Sequence, residues 1–276
     1  MMRPARALLG WLSEKQLAGV LTAQRRDREL TDEERCGIYA ARAAVAARPC
    51  FQAPSPLIEP CPEALYEHRA RLYGHERFKT LRDEGWELAI VDLTHVCVVQ
   101  HTVLSDPDPR VEGVDPDDLA ALARILLPIP DPTPLAYQVD SQRNVAVLSS
   151  FDGNLRVAGF ASQQVQRGSL IGFIVEVATS YLQVADLGGR TMLRDGNHRA
   201  AGLVRRGITK VPALVRKFAQ GEDLGIPKGI LAPTTYLGER PPTVIDYWNS
   251  TVSASVLVPR RRKFVLIQAI EQLLAE

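Results

Sequence analysis

Neither sign of charge dominates this 276-residue chain, where 33 Lys and Arg stand against 32 Asp and Glu for a net charge of +1. Such a balance argues against a surface given over to binding polyanions, although local basic patches can still exist. Cysteine is scarce. Cys36, Cys50, Cys61 and Cys97 include no CxxC pair, so neither a zinc ribbon nor a disulfide framework is read. Cys61, His68 and His75 are spaced by seven, or two helical turns, but scattered reduced thiols are the plainer reading. Apolar runs are short, and none approaches the ~18 residues of a membrane-spanning helix. The opening MMRPARALLGWLSEK has two arginines and a brief apolar run, without a long apolar core or a small-residue cleavage site. No secretory signal is read there, and the expected location is cytoplasmic.

What the chain does have is enough apolar sequence, 46 %, to bury a proper core in one or two domains. Residues 7–48 read as two helices, with Thr31 and Glu34 spaced as a capping box and Pro49 closing the second. A Pro-rich connector, 50–64, precedes a helical stretch over 65–84. Strands are expected at 87–93 and 95–104, an acidic loop at 105–118, and a short helix in DDLAALARILL. NVAVLSS and NLRVAGF flank Asp152-Gly153 and predict a hairpin. Strand signal returns within 170–187. The order from 190 to 218 is strand, Gly-bearing turn, helix, Gly and strand. The end of FVLIQAIEQLLAE reads as an amphipathic helix. Three regions follow: a helical 1–85, a core 86–219 and an irregular C-terminal extension 220–276 packing on that core.

DGNHRAAG, Asp195 to Gly202, is the chemical candidate. A glycine at a strand-to-helix switch lets the backbone approach a ligand, and the first N–H groups of a helix favour an anion. Gly196, Asn197, His198 and Arg199 lie there, and a guanidinium can grip two phosphate oxygens. Asp195 could hold Mg²⁺, act as a base or orient His198. A similar octamer, DGNLRVAG, begins at Asp152 and matches at six positions. It lies between β-like runs, so it reads as a turn with a different exit, one that could still face the first.

TMLRDGNHRAAGLVRRGITKVPALV resembles the nucleotide-binding core of the ParB N-terminal domain and sulfiredoxin superfamily. The resemblance rests on Gly196 to Arg199 opening a helix, Gly207 closing it, and Val211-Pro212 in the next strand. It extends weakly upstream to VDLTHVCVVQHTV. It implies an α+β fold with a ParB/sulfiredoxin-like mixed-sheet core, and a nucleotide phosphate at Gly196–Arg199. Members of the superfamily include CTP-dependent DNA clamps, ATP-dependent sulfinic acid repair enzymes and kinases of free serine. Sulfiredoxins have cysteine where this chain has Asn197, so that repair chemistry is not expected. A helix-turn-helix pair after residue 218 is not evident, so DNA is a less favoured partner.

Further participants come from the surroundings of the motif. Glu176 and Asp195 are candidate catalytic carboxylates and Mg²⁺ ligands, with His198 and Arg199 as their catalytic companions. Thr179, Ser180, Arg194 and His101 join Gly196 to Arg199 as candidate nucleotide contacts. Arg190 and Arg194 share a strand face. Gln100 and Thr102 flank His101, with Asp92 and His95 as lower-ranked acids and bases. The expected activity is Mg²⁺-dependent phosphotransfer or nucleotide hydrolysis with ATP or CTP on a small-molecule or peptide substrate, by a monomer or homodimer. The alternative is a non-enzymatic DNA-associated or protein-interaction module.

Overall fold

The stretch RTMLRDGNHRAAGLVRRGITKVPALVRKF supplies two strands of one sheet and the helix between them by changing period twice. A strand that buries Thr191, Met192 and Leu193 between the half-buried Arg190 and Arg194 gives way to a helix that buries Ala200, Ala201 and Leu203, and then to a strand buried from Val211 to Val215. Gly196 at φ +85° makes the first switch, and Gly207 at φ +79° makes the second.

The computed structural model describes residues 1–21, 29–53, 57–106, 110–131, 134–226 and 230–272. In chain order its elements begin β1 Met2–Ala7, α1 Glu14–Leu21, α2 Asp32–Ala46, β2 Ile58–Pro60, α3 Tyr66–Gly74, α4 Lys79–Asp83, β3 Glu87–Asp92, β4 Cys97–Val98, β5 Thr102–Leu104 and α5 Leu119–Leu126. Next come β6 Tyr137–Asp140, β7 Val145–Ser150, β8 Leu155–Val165 and β9 Gly168–Val177. The chain continues with β10 Gln183–Leu187, β11 Arg190–Asp195, α6 Asn197–Arg205, β12 Lys210–Phe218, α7 Pro233–Tyr236, β13 Ala254–Pro259 and β14 Lys263–Gln268. The architecture is mixed α+β, with N-terminal helices and several sheets.

Two compact units divide the chain. The first comprises Met1–Pro130 and Ser180–Pro259. Its six-stranded sheet has the order β2-β3-β12-β10-β11-β4, and a three-stranded sheet has the order β13-β1-β5. In the larger sheet β12 runs parallel to β10 and β11 parallel to β4, while the other neighbours are antiparallel. Strands buried on both faces need apolar residues at every position, which is why Val211–Val215 is buried without alternation, Pro212 included. Leu122, Ala123 and Leu126 of α5 are fully buried, and Trp248 Nε1 donates to the Ala201 carbonyl of α6 at 2.8 Å.

The second unit comprises Asp131–Thr179 and Arg260–Glu276. It contains the sheet β14-β7-β6 and the β8-β9 hairpin. Leu155 is its one buried hydrophobic residue among those described.

Several sequence expectations give way here. The units do not follow the divisions 1–85, 86–219 and 220–276. β1 pairs along its length with β13, so the first residues belong with 254–259, while Arg260 onward joins the other unit. Met2–Ala7 is a strand lying just before the expected helices, held by β13 and β5. The joint of the expected helix hairpin lies partly outside the described residues. The 65–84 helix is broken at Gly74-His75 into α3 and α4. The hairpin expected around Asp152-Gly153 does not form, because β7 pairs with β6 and β14 whereas β8 pairs with β9. FVLIQ lies within strand β14, Lys263–Gln268, and the helix expected at the end of FVLIQAIEQLLAE falls partly outside the described residues, with 269–272 in no regular element. The Thr31–Glu34 capping box is present in full, with Thr31 Oγ1 accepting from Glu34 N and the Glu34 carboxylate accepting from Thr31 N. No described helix is long and apolar enough to cross a membrane.

Candidate functional site

Asp195 ends β11, and its side chain closes the turn. Oδ1 accepts from Gly196 N at 2.6 Å, and Oδ2 accepts from Ser180 Oγ at 3.1 Å. Glycine is required next for two reasons. The backbone is left-handed, and a Cβ at 196 would come within 2.7 Å of Leu182 Cδ1 and 3.1 Å of Leu182 Cα. The turn is therefore pressed against the residue that enters β10, and α6 starts from a fixed point.

Arg199 is 3 % exposed. Its Nη1 donates to Ile125 O at 2.9 Å and Leu126 O at 3.4 Å, and its Nη2 donates to Ser180 O at 3.0 Å and Ser180 Oγ at 2.8 Å. Two of those acceptors are the last carbonyls of α5, where the helix dipole favours a cation. Ser180 Oγ accepts from Arg199 while donating to Asp195, so guanidinium, hydroxyl and carboxylate form a continuous chain. Three residues expected at the site are thus brought together, and the geometry uses Arg199 as a strut between α6, α5 and the segment entering β10.

His198 points the other way and is exposed. Its Nδ1 accepts from Leu104 N at 3.0 Å, which assigns the proton of the neutral ring to Nε2. The 3.4 Å approach of Gln100 Nε2 to His198 Nε2 then sets two N–H groups side by side and is not a hydrogen bond in that tautomer. Gln100 Nε2 instead donates to Thr102 O at 2.7 Å. In that tautomer the ring proton sits on Nε2, and the ring ties the start of α6 to β5. The loop between β4 and β5 that carries Gln100, His101 and Thr102 therefore does meet the start of α6. His101 itself is half-buried, its Nδ1 lies 2.7 Å from Thr102 Oγ1, and burial lowers its pKa.

Asn197, first residue of α6, is buried, and its Oδ1 finds no hydrogen-bond partner among the described residues. A buried carboxamide oxygen without a donor costs about 1–3 kcal/mol. Functional sites are places where such a cost is tolerated.

The remaining candidates sit on other elements. Arg194 Nε donates to Leu224 O at 2.9 Å and Nη1 to Gln183 Oε1 at 3.0 Å, with the guanidinium 5.3 Å from the Trp86 ring centroid. Arg190 Nη1 donates to Tyr236 O and Gly238 O. The shared face of β11 is real, but it grips the chain after β12. Glu176 and Thr179 belong to the second unit, where the Glu176 carboxylate accepts from Arg156 Nη2 at 3.0 Å across the β8-β9 hairpin. Asp92 caps its own turn by accepting from Thr94 N and Oγ1, and Thr94 Oγ1 lies 2.8 Å from His95 Nδ1. His68 Nε2 bonds Leu127 O, and His75 Nδ1 accepts from Arg77 N. No group of three or more His, Cys, Asp or Glu able to hold a metal ion occurs among the described residues.

Sequence reasoning missed Tyr247 and Trp248. The Tyr247 hydroxyl donates to Gln100 O, fixing the β4–β5 loop, while Trp248 holds α6. A readable signal was Thr243-x-x-Asp246, a capping box that starts the turn carrying both aromatics. A separate cleft of about 1200 Å³ lies over β2, β3, β10, β11 and β12, lined by Glu59, Cys61, Arg69, Glu84, Thr191 and Arg216 among others. Arg216 pairs there with Glu84 at 3.2 Å. Compared with models of protein families, with curated proteins and with solved structures, the chain matches none.

Proposed function

We propose that this chain binds a nucleoside triphosphate, ATP or CTP, at the Asp195–His198 turn. On this proposal it acts as a Mg²⁺-dependent phosphotransferase or phosphohydrolase with a ParB/sulfiredoxin-like core. The observation that carries the reading is the buried Asn197 carboxamide oxygen, without a partner among the described residues, in the first turn of α6 beside the exposed His198. A helix start with its N–H groups and positive dipole end adds to both.

Arg199 enters this proposal as the residue that positions the turn, because its guanidinium already holds three carbonyls and the Ser180 hydroxyl. Asp195 is the one expected carboxylate in the turn itself. A carboxylate repels phosphate, and a divalent cation between them reverses the sign. Mg²⁺ is commonly held by one or two carboxylates together with substrate phosphates. Asp195 fits that pattern as a single protein ligand, and bound Mg²⁺ would supply charge neutralisation for the phosphates. The chain's own groups would act as donors: His198 Nε2–H to a phosphate oxygen or leaving group, and the α6 backbone to the same anion. The acceptor would be water or the hydroxyl of a small-molecule or peptide substrate.

Titration calorimetry with ATP, CTP and GTP, each with and without Mg²⁺, tests the reading. The expected result is Mg²⁺-enhanced binding of one nucleotide, weakened at least about tenfold by His198→Ala and by Asn197→Ala, or about 1.4 kcal/mol. Release or transfer of the terminal phosphate then separates enzyme from binder. Absence of binding by all three nucleotides at about 1 mM would remove the proposal, since that corresponds to less than about 4 kcal/mol.

A further inference from the structure

The second unit exposes apolar side chains of a kind that the first unit keeps inside. On the β8-β9 hairpin, Phe160, Val165, Leu170, Ile171, Phe173 and Ile174 are between 51 % and 75 % exposed. Cross-strand register sets Phe160 opposite Phe173 and Ser162 opposite Ile171, so these share one face. Gln163 opposite Leu170, Gly159 opposite Ile174 and Val165 opposite Gly168 share the other. Both faces of one two-stranded ribbon are therefore apolar, and an isolated ribbon of that kind is marginal in water. Each strand has a single strand neighbour among the described residues, which leaves two long edges. Neither strand carries Lys or Pro, the residues that usually protect an edge.

We propose that the β8-β9 hairpin is a homodimerisation arm, covered by the same hairpin of a second copy of this chain. Charge decides the kind of partner. From Val157 to Val177 the charged residues are Arg167, in the turn, and Glu176, paired with Arg156. Nucleic acid or an anionic membrane would call for a basic surface, and an acidic or basic protein for the opposite charge. A neutral ribbon lined with Phe, Ile, Leu, Ser and Gln is complementary to itself, as an isologous twofold interface requires. One face offers Phe160, Ile171 and Phe173, on the order of 300 Å² of side chain per copy, and the unprotected edge of β8 or β9 adds main-chain pairing with the second copy. This inference is independent of the nucleotide proposal.

The test is sedimentation equilibrium of the full chain from about 0.5 to about 50 µM, paired with amide hydrogen exchange at both ends of that range. The wild type is expected to reach twice the chain mass, with amides of 159–174 protected only at the high concentration. Phe160→Ser combined with Ile171→Thr is expected to raise the dimer dissociation constant about 100-fold, and Phe173→Ser, on the same face, alone about tenfold. Tryptophan fluorescence verifies the first unit, where Trp11, Trp86 and Trp248 all lie, and amide protection of β6, β7 and β14 verifies that the second unit of each variant is folded. A monomer at about 50 µM overturns the proposal, and so does a dimer indifferent to both variants. Protection of the hairpin in the monomer would overturn it as well, assigning the arm to its own chain, as would a monomer that binds neutral phosphatidylcholine vesicles through the hairpin.

Discussion

Replacing Arg199 by alanine should unfold the first unit more readily, and the size of the effect follows from its partners. The guanidinium donates to Ile125 O, Leu126 O, Ser180 O and Ser180 Oγ from a site that is 3 % exposed. Truncation to alanine takes their donor from the Ile125 and Ser180 carbonyls, leaves Leu126 O with its bond from Leu182 N, and leaves Asp195 next to a serine hydroxyl that has lost its cation. Removing one member of a buried charged network costs about 3–5 kcal/mol. That is a large share of the roughly 5–15 kcal/mol that holds a native domain together. Arg199→Lys keeps the charge but not the fork. It should cost about 1.5–3 kcal/mol, the value of one hydrogen bond to a charged group.

Urea unfolding read by tryptophan fluorescence isolates this effect, since all three tryptophans belong to the first unit. With an m-value of about 2–3 kcal/mol per molar urea, the midpoint should fall by about 1–2 M for Arg199→Ala. Ser180→Ala should fall by less, because it removes the hydroxyl link to Asp195 but not the Ser180 carbonyl. The decisive contrary result is an Arg199→Ala variant whose midpoint is unchanged within about 0.3 M while nucleotide binding disappears. It would mean that the guanidinium leaves its carbonyls and serves as a phosphate ligand, as the motif resemblance implies.

Gly196→Ala and Gly207→Ala form a matched pair, since both sites have positive φ but only the first brings a Cβ against Leu182. Gly207→Ala should cost about 1–2 kcal/mol, and Gly196→Ala about 1–3 kcal/mol more by overpacking, measured by the same urea titration; equal losses would refute the close approach. His101 has a folded pKa pushed below its ordinary 6.5 by burial. The unfolded chain therefore takes up a proton first as pH falls below about 6.5, and stability contributed by neutral His101 is lost through that window. His101→Asn should flatten the pH dependence of the urea midpoint between about pH 7 and about pH 5. Cys97 is fully buried, which raises its thiol pKa to about 12, while Cys36 and Cys50 are exposed. A disulfide reagent at neutral pH should label Cys36 and Cys50 quickly, Cys61 slowly and Cys97 only on unfolding, with mass spectrometry of peptides as the readout.

How much of this was readable in the sequence depended on the distance over which each feature is decided. The Thr31–Glu34 box and the Asp118 cap involve groups three residues apart, and both are present. The strand–turn–helix–strand from 190 to 218 is also local, and its two glycines sit at the switches. Strand β1, sequence MRPARA, contains Pro and small Ala residues that favour no strand on their own, and pairing with a segment 250 residues away imposes it. FVLIQ is apolar at successive positions, so neither a period of 2 nor of 3.6 stands out, and β7 decides the outcome. The destination of Arg199 was unreadable for the same reason. Its acceptors at 125, 126 and 180 become neighbours only once α5 and the β10 entry are packed on α6.

The two Asp-Gly-Asn turns make the argument within one chain. In the first, Asp152 Oδ1 accepts from Asn154 N at 2.9 Å, and the backbone leaves as strand β8. In the second, Asp195 Oδ1 accepts from Gly196 N at 2.6 Å, one residue earlier, and Gly196 turns left-handed into α6. The triplets are identical, so the difference arises outside them. After the first triplet comes Leu155, which is buried, and then β-favouring alternation that pairs with β9. After the second come His198 and Arg199, followed by Ala200 and Ala201, both buried at helical spacing with Leu203. Ser180, bonded to Asp195, and Leu182, packed on Gly196, then lock that exit in place. Of the two, the second turn opens a helix, and its first residue carries a buried acceptor without a partner among the described residues, which is why the proposed nucleotide site is placed there.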